Sequence, residues 1–93
     1  MRIIFKVSGK PIIAITTDVQ NTKLAEVNIY NPLLAEIAFP KVVNHPTIAD
    51  LVVILRSYAD LEGQNVNLDQ IVAATGGSIP YIEFRQNLSV EFV

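Results

Sequence analysis

The chain contains no cysteine and no tryptophan, and its single histidine is His45. Without cysteine there is no disulfide, no thiolate metal site and no cysteine nucleophile. With one histidine, a two-histidine zinc site is excluded as well. Long apolar runs are also missing. The opening run, residues 3–5, is stopped by Lys6, and the longest later one spans residues 51–55. A secretion signal needs about 7–15 apolar residues, and a membrane span needs roughly 18. The expectation is a soluble, cytoplasmic protein with no membrane partner. Asn87-Leu88-Ser89 matches a glycosylation acceptor, but without a secretory route it reads as a chance match.

Charge is scarce. Charged residues make up 17% of the chain, against a usual value of about 25%. The seven basic residues (Arg2, Lys6, Lys10, Lys23, Lys41, Arg56 and Arg85) are scattered singly, and the net charge is −2. Phosphate backbones reward clustered cations, because counterion release scales with the number of phosphates neutralised. No nucleic-acid partner is therefore expected. A 93-residue chain forms one domain and buries only about 60–65% of its unfolded surface. With so few charges to cover the remainder, part of the surface is expected to be hidden in an interface. The plainer alternative is a surface dressed with Asn, Gln, Ser and Thr.

What is plentiful is β-branched and apolar: isoleucine and valine together number 23, which favours pleated, half-buried strands. Residues 2–7 alternate, with Ile3, Phe5 and Val7 opposite Arg2, Ile4 and Lys6. A turn at Ser8-Gly9-Lys10-Pro11 leads into a second strand over 12–17, completing a hairpin. After a polar loop over 18–23, residues 24–30 alternate again, and Asn31-Pro32 marks a turn. Alternation over 33–39 predicts a fourth strand, although its Leu, Ala and Glu content also suits a helix.

Thr47-Ile48-Ala49-Asp50 resembles a capping box and opens the clearest helix. Its apolar residues, Ile48, Leu51, Val52, Ile54, Leu55, Tyr58, Ala59 and Leu61, cover about half the helical wheel. Val53 is the one misfit on the polar half. Arg56 and Asp60 are spaced for an i, i+4 pair, and Gly63 is placed to close the C-terminus. Asn67-Leu68-Asp69-Gln70 caps a short second helix over 68–75, stopped by Gly76-Gly77. Strands over 81–85 and 88–93, joined at Gln86-Asn87, complete the chain. The sum is an α+β fold: an antiparallel or mixed sheet of about five to six strands, in ββββααββ order. One long and one short helix pack on one face of it.

The chemistry-bearing residues do not assemble into a motif. His45, in Asn44-His45-Pro46, precedes a helix start, where polar residues usually serve the turn. Thr75-Gly76-Gly77-Ser78 looks like a phosphate-cradling loop, but such loops lead into a helix and this one leaves one. Asp18, Glu26, Glu36, Glu83 and Glu91 lie in strand-like segments, where two carboxylates could share a proton or a cation; as a rule they are the solvated face of a sheet. No catalytic, metal-binding or cofactor-binding set is expected.

Of the tyrosines, Tyr30 and Tyr81 fall on the polar phase of their strands, and tyrosine is favoured at interfaces. Strand-edge pairing through the apolar C-terminal strand, Val90-Glu91-Phe92-Val93, is a further route to association. The sequence thus points to a small non-enzymatic association module, self-associating or binding a larger protein. Tyr30, Val53, Tyr81, Val90 and Phe92 are its candidate interface residues. Size and composition fit a bacterial or phage assembly protein, or a regulator or inhibitor of a larger machine. The rival reading is a small enzyme or ligand-binding domain using strand-end carboxylates with His45.

Overall fold

The computed structural model describes residues 1–38, 47–80, 82 and 87–93. Its elements are β1 (Arg2–Val7), β2 (Lys10–Thr17), β3 (Leu24–Ile29), α1 (Pro32–Ala38), α2 (Ile48–Tyr58), α3 (Leu68–Thr75), β4 (Ser78–Ile79) and β5 (Leu88–Phe92). The strands form one five-stranded sheet in the order β3-β2-β1-β5-β4, and every pairing is antiparallel. The α+β class is as the sequence predicts. Among the described residues the order along the chain is βββαααββ, where ββββααββ was expected.

The first hairpin turns on two residues. Ser8 and Gly9 both take positive φ, 51° and 81°, between Val7 and its partner Lys10. Two left-handed residues make a turn whose twist matches that of the strands. β2 therefore starts two residues earlier than expected and includes Pro11. Proline is tolerated there because β3 stops alongside Ile12, which leaves Pro11 with a single neighbouring strand. A bulge then lets Ile12 and Ile13 together oppose Phe5, so consecutive isoleucines both enter the core.

Residues 32–38 form a helix where alternation had predicted a strand. Pro32 occupies the first helical turn, where its missing N–H costs nothing. The Asn31 side chain accepts from the Leu34 N–H at 3.1 Å, and its carbonyl accepts from the Ala35 N–H at 2.9 Å. Leu34, Ala35 and Ala38 turn inward at helical spacing, and Leu33 is left outside. The period-2 pattern was a coincidence of four apolar residues in a segment that is apolar on most positions.

Both predicted capping boxes are present. In α2 the Thr47 hydroxyl accepts from the Asp50 N–H at 3.2 Å, and Asp50 returns the bond to the Thr47 N–H at 3.2 Å. In α3 the reciprocal Asn67 and Gln70 bonds are 2.9 and 2.8 Å. Gly76 ends α3 in the left-handed conformation (φ 71°). α2 ends earlier than expected, because Asp60 turns left-handed (φ 59°) and the Leu61 N–H bonds back to the Arg56 carbonyl at 2.8 Å. Asp60 has thereby left the helix, and Arg56 instead donates to the Gln64 carbonyl at 3.1 Å.

The core lies between one face of the sheet and the helices. Ile3, Phe5, Ile13, Ile15, Leu88 and Val90 pack there against Leu51, Leu55 and Tyr58 of α2 and Leu68 and Ile71 of α3. The buried Tyr58 hydroxyl donates to the Ala38 carbonyl at 2.8 Å, tying α2 to the end of α1. Of the expected strand over 81–85, only Ile82 is described, and it is buried in the same core. The short β4 was not expected.

Two substitutions on α2 separate its faces. Leu55→Ala, at a fully buried position, is expected to lower unfolding stability by about 2–5 kcal/mol. Val53→Ala, at a 56% exposed position, should change it by no more than about 0.5 kcal/mol. Urea unfolding of the two variants beside the parent checks both.

Candidate interaction surface

The second face of the sheet carries Arg2, Ile4 and Lys6 of β1, Pro11, Ala14 and Thr16 of β2, Glu26 and Asn28 of β3, and Ser89 and Glu91 of β5. These residues follow from the strand registers. They pair with one another across the strands and alternate along each strand with the residues that face the helices. Lys6 and Glu91 form an ion pair at 2.7 Å across β1 and β5. At the Tyr30 end of β3 the face becomes apolar. Arg2, Ile4, Pro11, Ala14 and Tyr30 line an open groove of about 310 Å³. The Arg2 guanidinium donates to the Tyr30 hydroxyl at 3.0 Å, so a cation on β1 reaches a tyrosine just past the end of β3. Ala14 lies between them on β2, short enough to leave the groove open.

Beside the groove the sheet ends. β3 is bonded to β2 on one side and, among the described residues, to no strand on the other. Ile29 faces Ile13, so Tyr30 lies opposite Ile12, and the Tyr30 N–H donates to the Ile12 carbonyl at 2.9 Å. In an antiparallel ladder, bonded and non-bonded pairs alternate. Glu26, Asn28 and Tyr30 therefore direct their main-chain groups toward β2, and Val27 and Ile29 direct theirs away from the sheet. A bulge at Ala25 bends the start of the strand, a common feature of sheet edges. At the other end of β3 three large apolar side chains within five residues are exposed. Ile29 is 36% exposed, Tyr30 54% and Leu33, on α1, 81%.

The expected interface residues divide. Tyr30 belongs to both the groove and the edge. Val53 is exposed, but on the outer side of α2. Phe92 packs against the core, and Val90, 2% exposed, lies within it. Tyr81 lies outside the described residues. The C-terminal strand is not at an edge: β5 pairs with β1 along its length, and its other flank is taken by β4 and by the Gly77 carbonyl, which accepts from the Phe92 N–H at 3.0 Å. Ile29 and Leu33 were missed by the sequence reading. Ile29 sits on the core phase of its strand and is exposed at the end of β3, which has no outer neighbouring strand among the described residues. Leu33 was assigned to a strand.

Among the described residues the carboxylates do not converge. Among the described residues, no three His, Cys, Asp or Glu side chains are grouped to hold a metal ion. Glu91 is engaged with Lys6, Glu26 accepts from Asn28 Nδ2 at 3.1 Å, and Glu36 is exposed on α1. His45 and Glu83 lie outside the described residues. Asp18 closes the loop between β2 and β3: its carboxylate accepts from the Thr22 hydroxyl and N–H, both at 2.7 Å, and from the Lys23 N–H at 3.2 Å. The Thr22 hydroxyl, above all, holds the Asp18 carboxyl below its ordinary value; the two N–H groups and the Lys23 charge add to this, and a desolvation effect opposes it. A carboxyl made more acidic moves away from what a general acid or base needs near neutral pH. The same loop is tied to α3, where Asn21 Nδ2 donates to Asp69 at 2.8 Å.

Because the folded-state pKa of Asp18 is depressed, its stabilising contribution is present above the unfolded-state value and is lost as pH falls through the folded-state one. Asp18→Asn should therefore be less stable than the parent near neutral pH, and the gap should close in acid. Urea midpoints across the acid range check this; a gap independent of pH would contradict it. No helix among the described residues is long and apolar enough to cross a membrane. No protein-family model, curated protein or solved structure matches the chain, and the functional reading therefore rests on these surfaces.

Proposed function

We propose that the protein is a non-enzymatic association module that self-associates through the surface around Tyr30. The observation that carries this reading is the exposure of three large apolar side chains close together in sequence, Ile29, Tyr30 and Leu33, at the end of a strand whose outward main-chain groups have no strand to pair with among the described residues. An apolar anchor next to unpaired N–H and C=O groups supplies both terms of strand-mediated association. The side chains contribute burial, and the main chain contributes directed hydrogen bonds. Tyr30 combines a broad ring with a hydroxyl already oriented by Arg2, the combination enriched at interface hot spots. The low charge content of the chain agrees, since interface centres are depleted in charge.

Light scattering behind a sizing column, over a range of concentrations, tests the reading. The parent is expected to pass from monomer to a discrete oligomer. Burying a leucine is worth about 1.5–3 kcal/mol, so Leu33→Glu should weaken association on the order of tenfold or more. Because Leu33 is 81% exposed, the variant should keep the parent's thermal midpoint at concentrations where both are monomeric. A parent chain that stays monomeric at every concentration would overturn the proposal.

A further inference from the structure

The groove on the second sheet face has a ligand chemistry of its own, independent of self-association. We propose that it binds a small carboxylate with an apolar tail, the carboxylate held by the Arg2 guanidinium and the Tyr30 hydroxyl and the tail lying on Ile4, Pro11 and Ala14. The strands fix the apolar floor. Ile4 and Ala14 pair directly across β1 and β2, and Pro11 brings no N–H to the surface. Ala14 faces away from the helices and takes no part in the core they cover, yet it is fully buried. Its shield is therefore the set of side chains around it on this face. At about 310 Å³ the groove stands at the lower end of ligand sites, which run from about 300 to 1,000 Å³. That size calls for a small molecule.

The rim selects the head group. Arg2 donates an N–H to the Tyr30 hydroxyl at 3.0 Å, and no carboxylate among the described residues pairs with its charge. A guanidinium carries several donors and no acceptor. The Tyr30 oxygen, accepting from Arg2, keeps its own proton to donate, and no described residue takes it. The pair thus presents donors alone, one of them charged, beside an apolar floor. A carboxylate is the complement, because both its oxygens only accept and its plane suits the guanidinium fork. A phosphate would bring more negative charge to a face that already holds Glu26 and Glu91. Neither glutamate fills the site from within the chain, since Glu91 pairs with Lys6 at 2.7 Å and Glu26 accepts from Asn28 at 3.1 Å.

Octanoate is the probe, titrated into the full-length, isotope-labelled chain at a concentration where it is monomeric and followed by amide NMR shifts. Saturable shifts are expected at Ala14 and Tyr30 and not at Val53, on the outer side of α2. Butanoate should bind on the order of tenfold more weakly, because it covers fewer CH2 groups. The neutral octanamide should also bind on the order of tenfold more weakly, for want of a charge-assisted bond. Arg2→Gln should cost octanoate on the order of tenfold and octanamide much less. Tyr30→Phe, which keeps the ring, should cost octanoate roughly threefold. Lys23→Gln makes the same change of charge in the loop beyond the other end of β3, and screening should hold its effect within about twofold. Shifts spread over the whole surface, or an affinity unmoved by Arg2→Gln, would overturn the proposal. A parent that oligomerises and is weakened by Leu33→Glu but binds no octanoate would overturn it alone. A parent monomeric at every concentration that binds octanoate in the groove would overturn self-association and leave the ligand site standing.

Discussion

The seam between β1 and β5 is the constraint on which the rest of the fold depends. It joins the first strand of the chain to the last, from Arg2 opposite Val93 to Val7 opposite Leu88. β1 lies third in the sheet, so the hairpin of β1 and β2 on one side and the β4–β5 pair on the other meet only through it. A pairing between such distant parts of the chain carries a large loop-closure cost and is slow to form. What repays that cost is the apolar row on its helix-facing side, Ile3, Phe5, Leu88 and Val90, which α2 and α3 cover.

Covering one face leaves the other to be made tolerable to water by its side chains alone. Near β5 this is done with Lys6, Ser89 and Glu91. Near the Tyr30 end of β3 it is done much less thoroughly, where Ile4, Pro11 and Ala14 floor the groove and Tyr30 and Arg2 border it. The apolar part of this face thus lies at the Pro11 and Tyr30 end of the sheet, close in sequence to the exposed Leu33. The polar loop residues around Asp18 lie beyond the other end of the same strand, where Thr22 binds Asp18 and Asn21 binds Asp69 of α3.

Much of this was legible in the sequence where a local signal decides the outcome. Alternation marked β1, β2, β3 and β5; the Thr47 and Asn67 boxes marked the starts of α2 and α3, and Gly76 the end of the latter. What escaped was set by tertiary context or by signals of equal strength. Residues 33–38 fit two periods, and the Asn31 cap with Pro32 decided for helix. Asp60 took the left-handed role for which Gly63 had seemed suited. Strand order cannot be read from alternation, so the C-terminal strand was expected at an edge and lies inside the sheet, and β3, at the edge among the described residues, was overlooked. That single placement moved Val90 into the core and Ile29 to the surface.

The β1–β5 seam has a mechanical consequence. Arg2 and Val93 exchange hydrogen bonds of 3.1 and 2.8 Å, so the two ends of the described chain emerge side by side at one end of neighbouring antiparallel strands. Tension applied between them acts across the strands, along the hydrogen bonds, and loads the outermost pair first. The bonds then part in succession and never share the load. A fold that keeps its helices and core under heat or denaturant would still open under a small pull at its ends, because the contact that closes the sheet is also the one the ends can unzip.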